Sequence, residues 1–347
     1  SNFADCSSIA NNVRNISHLK MVDTTKISSN RTILFANKST SIFQSDRSNE
    51  LWTTSALRFF IMEDLMISFN YTEMMHVEAD NLLFGHLTSI FDVLKNGYPL
   101  AATPLNANKS FITASVLWIG NLNAIIQFND FLLGLGMQIN DSWKNYLKWL
   151  RQYACCRHGG VDPDKYGNGI KPFAVNEMSM LAYYHSLYPH LLKLLPVVPV
   201  HNYLLNRFVC NMSDFGPGGT EVGPDTGNGI WDANSWGQHI GGTSHAKGRD
   251  IGFSDPSHIS GQAMRMSGCR VHMLCGNQSY TDHNSHYKAT LANFEENSRI
   301  VSSSVATCYT APFVSCTGGT EWTPLWNLHV HSKHTEKFRS IVCSCVE

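Results

Sequence analysis

MMHVEADNLLFGHL, residues 74–87, is the most informative segment of this sequence. A short apolar run ends in two carboxylates, Glu78 and Asp80, and a helix is predicted directly after them over residues 82–95. Side chains two positions apart in a strand lie on the same face, so these two project together. Adjacent anions repel each other unless solvent or a cation offsets the repulsion, and open α/β sheets bind ligands at the carboxyl ends of strands. The pattern indicates either a cation site or a solvated loop in which Asp80 caps the following helix.

The segments around this stretch alternate between strand and helix patterns. Residues 50–68 have apolar residues at helical spacing, and a long helix is predicted over residues 176–195, with Asn176 as a good N-cap. Further helices are predicted near 121–135 and 141–154, and short strands at 18–23, 31–37, 98–105 and 111–120. This alternation predicts an α/β fold with a mixed, mainly parallel sheet flanked by helices.

Bulk composition excludes several classes of protein. The 347 residues are 43% hydrophobic and 15% charged, which is typical of a compact globular protein. The net charge is −1 and no Lys/Arg cluster stands out, so nucleic acid is not an expected partner. No apolar run approaches the roughly 20 residues that span a bilayer, so we expect no membrane span in this chain.

Cysteines and glycosylation sequences favour a secretory compartment, the Golgi lumen or the outside of the cell. The chain has 10 cysteines, whose spacing does not fit a structural zinc site, so we expect several disulfides with the connectivity left open. N-linked glycans are expected at eight N-x-S/T asparagines, nearly all of them in predicted loops. They are Asn15, Asn30, Asn37, Asn70, Asn108, Asn140, Asn211 and Asn277.

WNLHVHSK, residues 326–333, is a second informative segment. In a strand, His329, His331 and Lys333 share one face. Two such imidazoles suit a divalent metal or a phosphate, and Lys333 supplies a point charge. Coincidence is the alternative, because the chain has 16 histidines.

Two further segments contain candidate carboxylates. Glu177 lies in the first turn of a predicted helix, where the helix dipole favours an acid whatever the protein does. Asp232 opens a short helical pattern in IWDANSWGQHIGG that ends at Gly241 and Gly242. The two glycines act first as a helix stop, and they also allow a ligand close to the backbone.

The order of these blocks, HVEADNLLF, FITASVLWIGN, VNEMSMLAYY, WDANSWGQHIGG and WNLHVHSK, resembles the nucleotide-sugar-dependent glycosyltransferases of the GT-A fold. In that family a D-x-D sequence at the end of a central strand holds Mn²⁺ or Mg²⁺ against the diphosphate of the donor, and a late histidine completes the metal site. The resemblance implies Glu78, Asp80 and His329 as metal ligands, with Glu78 standing where the family has its first Asp. His331 is a reserve ligand.

The resemblance also implies where the substrates lie. Lys333 contacts phosphate, and Asn81, Gly241 and Gly242 are further candidates for binding the nucleotide sugar, a UDP- or GDP-sugar. Glu177 or Asp232 acts as the base on the acceptor hydroxyl, with inversion and retention both left open.

We therefore expect one GT-A-like glycosyltransferase domain over residues 1–347, with an irregular part at 1–49, an α/β core at 50–210 and a cysteine-stabilised, loop-rich part at 211–347. It would transfer a sugar to a hydroxyl of a glycan or glycoprotein. The alternatives are a non-catalytic extracellular glycoprotein, serving as a carbohydrate-binding or assembly module, and a metal-dependent hydrolase. The sequence leaves self-association open.

Overall fold

The computed structural model describes residues 21–39, 49–84, 91, 94–95, 98–106, 110–137, 141–154, 175–199, 229–241, 258–266, 268–275, 310–316 and 323–329. In these ranges the longer helices are α1 (Asn30–Ser39), α2 (Asn49–Phe69), α3 (Leu122–Gly136), α4 (Ser142–Ala154), α5 (Glu177–Leu187), α6 (Ser235–Gly241) and α7 (Ile259–Met266). The strands are β1 (Met74–Val77), β2 (Asn81–Leu83), β3 (Leu100–Pro104), β4 (Ile112–Ile119), β5 (Leu192–Leu194), β6 (Arg270–Cys275), β7 (Thr310–Ser315), β8 (Thr323–Pro324) and β9 (Asn327–His329).

Four strands form the central sheet, in the order β1-β4-β3-β5. Strand β4 pairs antiparallel with both β1 and β3, and β5 pairs parallel with β3. The predicted α/β class is confirmed, but the expectation of a mainly parallel sheet is wrong for the described strands. The reason is the short connection from β3 to β4, which permits a hairpin, whereas a parallel return needs a crossover of about a dozen residues or more.

An aromatic cluster fixes the helices beside this sheet. Helices α3 and α5 pack against β4, and α2 packs against both helices. Phe59 of α2 meets Phe128 of α3 edge-on with ring centroids 4.9 Å apart, and Phe128 meets Tyr184 of α5 at 5.0 Å. All three rings are buried. Each aromatic pair adds about 0.5–1.5 kcal/mol beyond area burial, so α2 and α5 are held firmly relative to each other.

Residues 31–37, predicted as a strand, belong to helix α1. The buried side chains of this helix are Thr32, Phe35 and Ser39, a helical spacing that the strand interpretation overlooked. Asp64 of α2 accepts hydrogen bonds from Ser29 N at 3.0 Å and from the Thr32 hydroxyl, and so fixes the start of the helix. Residues 21–23 of the predicted strand at 18–23 are not in a strand either, and residues 18–20 lie outside the described ranges.

Two expected glycan sites also lie on helix α1. Asn30 and Asn37 are exposed and lie in this helix, so Asn30 is not in a loop as expected and Asn37 is not at the end of a strand. Asn70 is exposed at the turn after α2. The other five acceptor asparagines fall outside the part of the chain that the structure describes.

The segment after Asp80 is strand β2 rather than the start of a helix. Residues 81–83 pair antiparallel with β9, and among the described residues up to Lys95 helical backbone is present at residues 91 and 94–95. Asp80 therefore does not cap a helix that begins at residue 82. The pairing partner comes from near the end of the chain, so local periodicity did not reveal this strand.

Helix α5 is shorter than predicted. Asn176 caps it, with its side chain accepting from Ser179 N at 2.9 Å, as expected. The helix ends at Leu187, since a residue that precedes a proline, here Tyr188, is disfavoured in the α region. Residues 192–194 then form β5, with Leu192 and Leu194 buried.

The C-terminal part contains a disulfide, as the sequence predicted, together with short strands. Strands β6, β7 and β8 form one sheet, and Cys269 and Cys316 form a disulfide beside the β6–β7 pair. The chain passes from β8 through Leu325, which bridges Ile230, into β9. None of the helices in the described ranges has the length and apolar character needed to cross a bilayer.

Candidate metal centre

The two carboxylates of the E-x-D sequence lie in a tight turn at the end of β1. Glu78 N donates to Ser115 O of β4 at 2.9 Å, and Asn81 N donates to Glu78 O at 3.0 Å. The Asn81 side chain also donates to Ser115 O, at 3.3 Å. The turn is thus fixed to β4 at both ends, which holds Glu78 and Asp80 close together.

Strand β9 brings His329 to this turn. The β2–β9 pairing sets His329 directly opposite Asn81. His329 Nε2 lies 3.3 Å from Asp80 Oδ1 and 3.6 Å from Glu78 Oε2. One ligand atom from each of the three residues lies within 4.8 Å of the others. The structure therefore brings together the three residues predicted as metal ligands.

The His329 ring is oriented by its other nitrogen. Nδ1 lies 3.1 Å from the carbonyl oxygen of Ala233, which suits an Nδ1–H donor and leaves Nε2 directed at the carboxylates. Burial lowers the pKa of His329, but Asp80, Asp232 and Glu78 outweigh that effect and raise the pKa to about 9. The imidazolium thus offsets part of the negative charge of the two acids, and a divalent cation at this position must replace its proton.

Asp232 fixes the backbone around His329. The carboxylate is fully buried and accepts four backbone hydrogen bonds, from Asn234, Trp236 and Gly237 and from His329 N of β9 at 2.9 Å. Burial raises the pKa of Asp232, while the His329 ring and these donors counteract the rise. Both oxygens are engaged in joining the start of α6 to β9, so the structure gives Asp232 a positioning role.

Gly237 allows α6 to approach β9 closely. A Cβ added there would lie 2.1 Å from His329 O and 2.7 Å from its carbonyl carbon. Sequence analysis pointed instead to Gly241 and Gly242. Gly241 is the last residue of α6, and Gly242 lies outside the described residues.

Asn327 links the two sides of the site. Its side chain donates to Asn81 Oδ1 at 2.6 Å and to Asp232 O at 3.0 Å, and accepts from Asp232 N at 2.8 Å. Asn81, predicted to bind the nucleotide sugar, therefore uses its side chain to hold β9 and β4. Lys333 and His331 lie outside the described residues.

Arg58 of α2 connects the acid pair to Glu177. Its guanidinium pairs with Glu78 Oε1 and lies 3.4 Å from Glu177 Oε1. Burial raises the pKa of Glu177; Arg58 opposes the rise and Glu78 adds to it, which leaves the pKa at about 7. Arg58 was not predicted from the sequence, because its acidic partners lie 20 and 119 positions away and no local pattern marks it.

The donor set suits a hard divalent cation. Two carboxylates and one imidazole nitrogen are ligands that Mn²⁺ and Mg²⁺ accept, and three protein ligands leave coordination positions for water or phosphate oxygens. A structural zinc ion would instead favour four protein ligands rich in sulfur and nitrogen. Comparisons of the chain with protein-family models, with curated proteins and with solved structures found no match.

Proposed function

We propose that this chain is a metal-dependent glycosyltransferase of the GT-A type, which moves a sugar from a UDP- or GDP-sugar to a hydroxyl of a glycan or glycoprotein. The observation that carries the proposal is the convergence of Glu78, Asp80 and His329 from distant parts of the chain. The order of the sequence blocks, which resembles that family, supports the same function.

Charge explains why such a reaction suits this site. Transfer of the sugar leaves a nucleoside diphosphate, whose negative charge increases as the glycosidic bond breaks. A divalent cation, when bound, stabilises that charge as a Lewis acid. Asp80, Glu78 and His329 would hold the cation beside the end of β1, where α/β sheets bind ligands.

Glu177 is the better candidate for the base that acts on the acceptor hydroxyl. Its Oε2 is buried and has no hydrogen-bond partner among the described residues, whereas both Asp232 oxygens are engaged by backbone N–H groups. A pKa of about 7 is near the value that suits a general base at neutral pH. Such a base is needed if the reaction inverts the anomeric centre.

A secretory location belongs to the same proposal. The Cys269–Cys316 disulfide is the kind of crosslink that persists in oxidising compartments, such as the Golgi lumen or the outside of the cell. The three acceptor asparagines within the described residues, Asn30, Asn37 and Asn70, are all exposed and accessible to glycan attachment.

The test is a thermal-shift screen of UDP- and GDP-sugars with and without Mn²⁺, followed by donor hydrolysis. A ligand that binds the folded state raises its apparent stability, so one nucleotide sugar should raise the melting temperature only when Mn²⁺ is present. The protein should then slowly release the nucleoside diphosphate. A carbohydrate-binding module would show neither response, and a hydrolase would act on its substrate without any nucleotide.

Asp80→Asn is the variant that ties this activity to the site, and Asp141→Asn is its matched control. Asp141 is exposed and pairs only with Lys144, at 3.3 Å, among the described residues. Asp80→Asn should abolish the Mn²⁺-dependent release and Asp141→Asn should leave it unchanged. Equal release by both variants would contradict the proposed function.

A further inference from the structure

Arg58 has two acidic partners and one of them is a proposed metal ligand. Nη1 pairs with Glu78 Oε1, while Nη2 lies 3.4 Å from Glu177 Oε1. The other oxygen of Glu78, Oε2, faces His329 Nε2 at 3.6 Å. Glu78 is therefore shared between a guanidinium on one oxygen and the proposed cation position on the other.

These groups are mostly withdrawn from water. The side chain of Arg58 is 17% exposed and that of Glu177 is 6% exposed. Charges interact more strongly there than at the surface, because solvent screens them less. Glu177 has no partner for Oε2 among the described residues, so Arg58 is the cation within reach that compensates its charge there.

A divalent cation on Glu78 alters this balance. It reduces the negative charge that Arg58 meets at Glu78, and it also repels the guanidinium. Glu177 then offers the stronger attraction, and only a small movement closes the 3.4 Å separation. The shared guanidinium thus links cation binding at Glu78 to the ion pair with Glu177.

We propose that Arg58 is a positioning residue, an inference that rests on the proposed metal site. Arg58 competes with the cation for Glu78, and it pairs with Glu177 instead when the cation binds. The competition weakens cation binding by the empty protein and favours a cation that arrives together with an anionic diphosphate. Through the same exchange, Arg58 balances the negative charge of the Glu177 carboxylate when the cation is bound.

The test is the affinity of the chain, residues 1–347, for Mn²⁺ alone, measured by titration calorimetry without nucleotide. Arg58→Gln removes the competitor and should tighten Mn²⁺ binding about fivefold or more, the lower end of typical coupling between sites. Glu177→Gln leaves Arg58 with Glu78 only and should weaken binding by a similar factor. In the double variant, the effect of Glu177→Gln should disappear.

Opposite shifts from the two partners of one ion pair distinguish this exchange from structural damage, which would weaken binding in both variants. Arg31→Gln is a matched control, because Arg31 also joins two carboxylates, Glu63 at 2.9 Å and Asp130 at 2.7 Å, but on helix α1. That variant should bind Mn²⁺ with unchanged affinity. If Arg58→Gln does not fold, Arg58→Lys replaces it, and the effect of Glu177→Gln should be smaller in that background than in the wild type.

Two results would overturn the inference alone: weaker binding in both single variants, or an equal effect of Glu177→Gln with and without Arg58. A wild-type chain that binds no Mn²⁺ would overturn the inference together with the metal site of the proposed function.

Discussion

The close packing of α6 on β9 predicts that Gly237→Ala destabilises the protein. The added Cβ would lie 2.1 Å from the carbonyl oxygen of His329 and 2.7 Å from its carbonyl carbon. Both are backbone atoms of β9, so no rotation of a side chain relieves the overlap. Helix α6 and strand β9 must separate, and that movement strains the hydrogen bonds from Gly237 N and His329 N to Asp232.

The magnitude follows from two opposing effects. Alanine is normally better than glycine inside a helix by about 0.5–1 kcal/mol. Overpacking a tight contact costs about 1–3 kcal/mol, so the net loss of unfolding free energy for Gly237→Ala should be about 1–2 kcal/mol. Gly134 of α3 is the matched control, because nothing lies within 4 Å of a Cβ added there. Gly134→Ala should therefore stabilise the protein by about 0.5–1 kcal/mol.

Urea unfolding followed by circular dichroism measures both variants, and Mn²⁺ titration measures the site. The same chemical change should shift the two midpoints in opposite directions, and only Gly237→Ala should weaken Mn²⁺ binding, since it displaces His329. A Gly237→Ala protein as stable as Gly134→Ala, with normal Mn²⁺ affinity, would refute the packing of α6 on β9 described above.

Four further predictions concern protonation, the buried carboxylate and the disulfide. The pKa of His329 is raised to about 9, and its proton must leave when Mn²⁺ binds. The Mn²⁺ affinity should therefore rise by up to about tenfold per pH unit from pH 6.5 to 8.5 and level off above pH 9. An affinity independent of pH in calorimetric titrations would contradict this. Without metal, protonated His329 contributes its full stabilisation of the fold below pH 6.5, the pKa of the unfolded chain. That contribution is lost as the pH rises towards 9, so the urea midpoint should fall over this range. Asp232→Asn places an amide among four backbone N–H donors and should cost about 2 kcal/mol or more of unfolding free energy, against less than about 0.5 kcal/mol for the exposed Asp141→Asn. Replacing Cys269 and Cys316 by alanine should cost about 2–4 kcal/mol, and a reducing agent should lower the urea midpoint of the wild type by more than that of this variant.

The sequence was most informative where a pattern is local. The apolar run before Glu78, the spacing in residues 121–135 and the Asn176 cap each depend on neighbours within a few positions, and the structure has a strand, a helix and a capped helix there. Local patterns failed where a distant partner decides. Residues 81–83 form a strand because β9 pairs with them. The error at residues 31–37 has another cause, because the helical spacing of their buried side chains is local and was overlooked.

The site residues show the same difference between local patterns and distant contacts. Glu78, Asp80 and His329 were chosen by residue type and position, and the structure brings them together. Residues that act through buried contacts were missed, since nothing local marks them. In the sequence Arg58 resembles any other helix residue, and only the structure shows Glu78 and Glu177 on either side of it. The importance of Gly237 likewise comes from β9, which packs against it.

The most direct measurement is pulsed electron paramagnetic resonance of Mn²⁺ bound to the chain with a nucleoside diphosphate. With histidines labelled with nitrogen-15, the wild type should show coupling between Mn²⁺ and one imidazole nitrogen, and His329→Gln should lose it while remaining folded. Asp80→Asn should bind Mn²⁺ far more weakly than Asp141→Asn. A wild-type spectrum without imidazole coupling, or coupling that persists in His329→Gln, would contradict a cation held jointly by the turn after β1 and by strand β9.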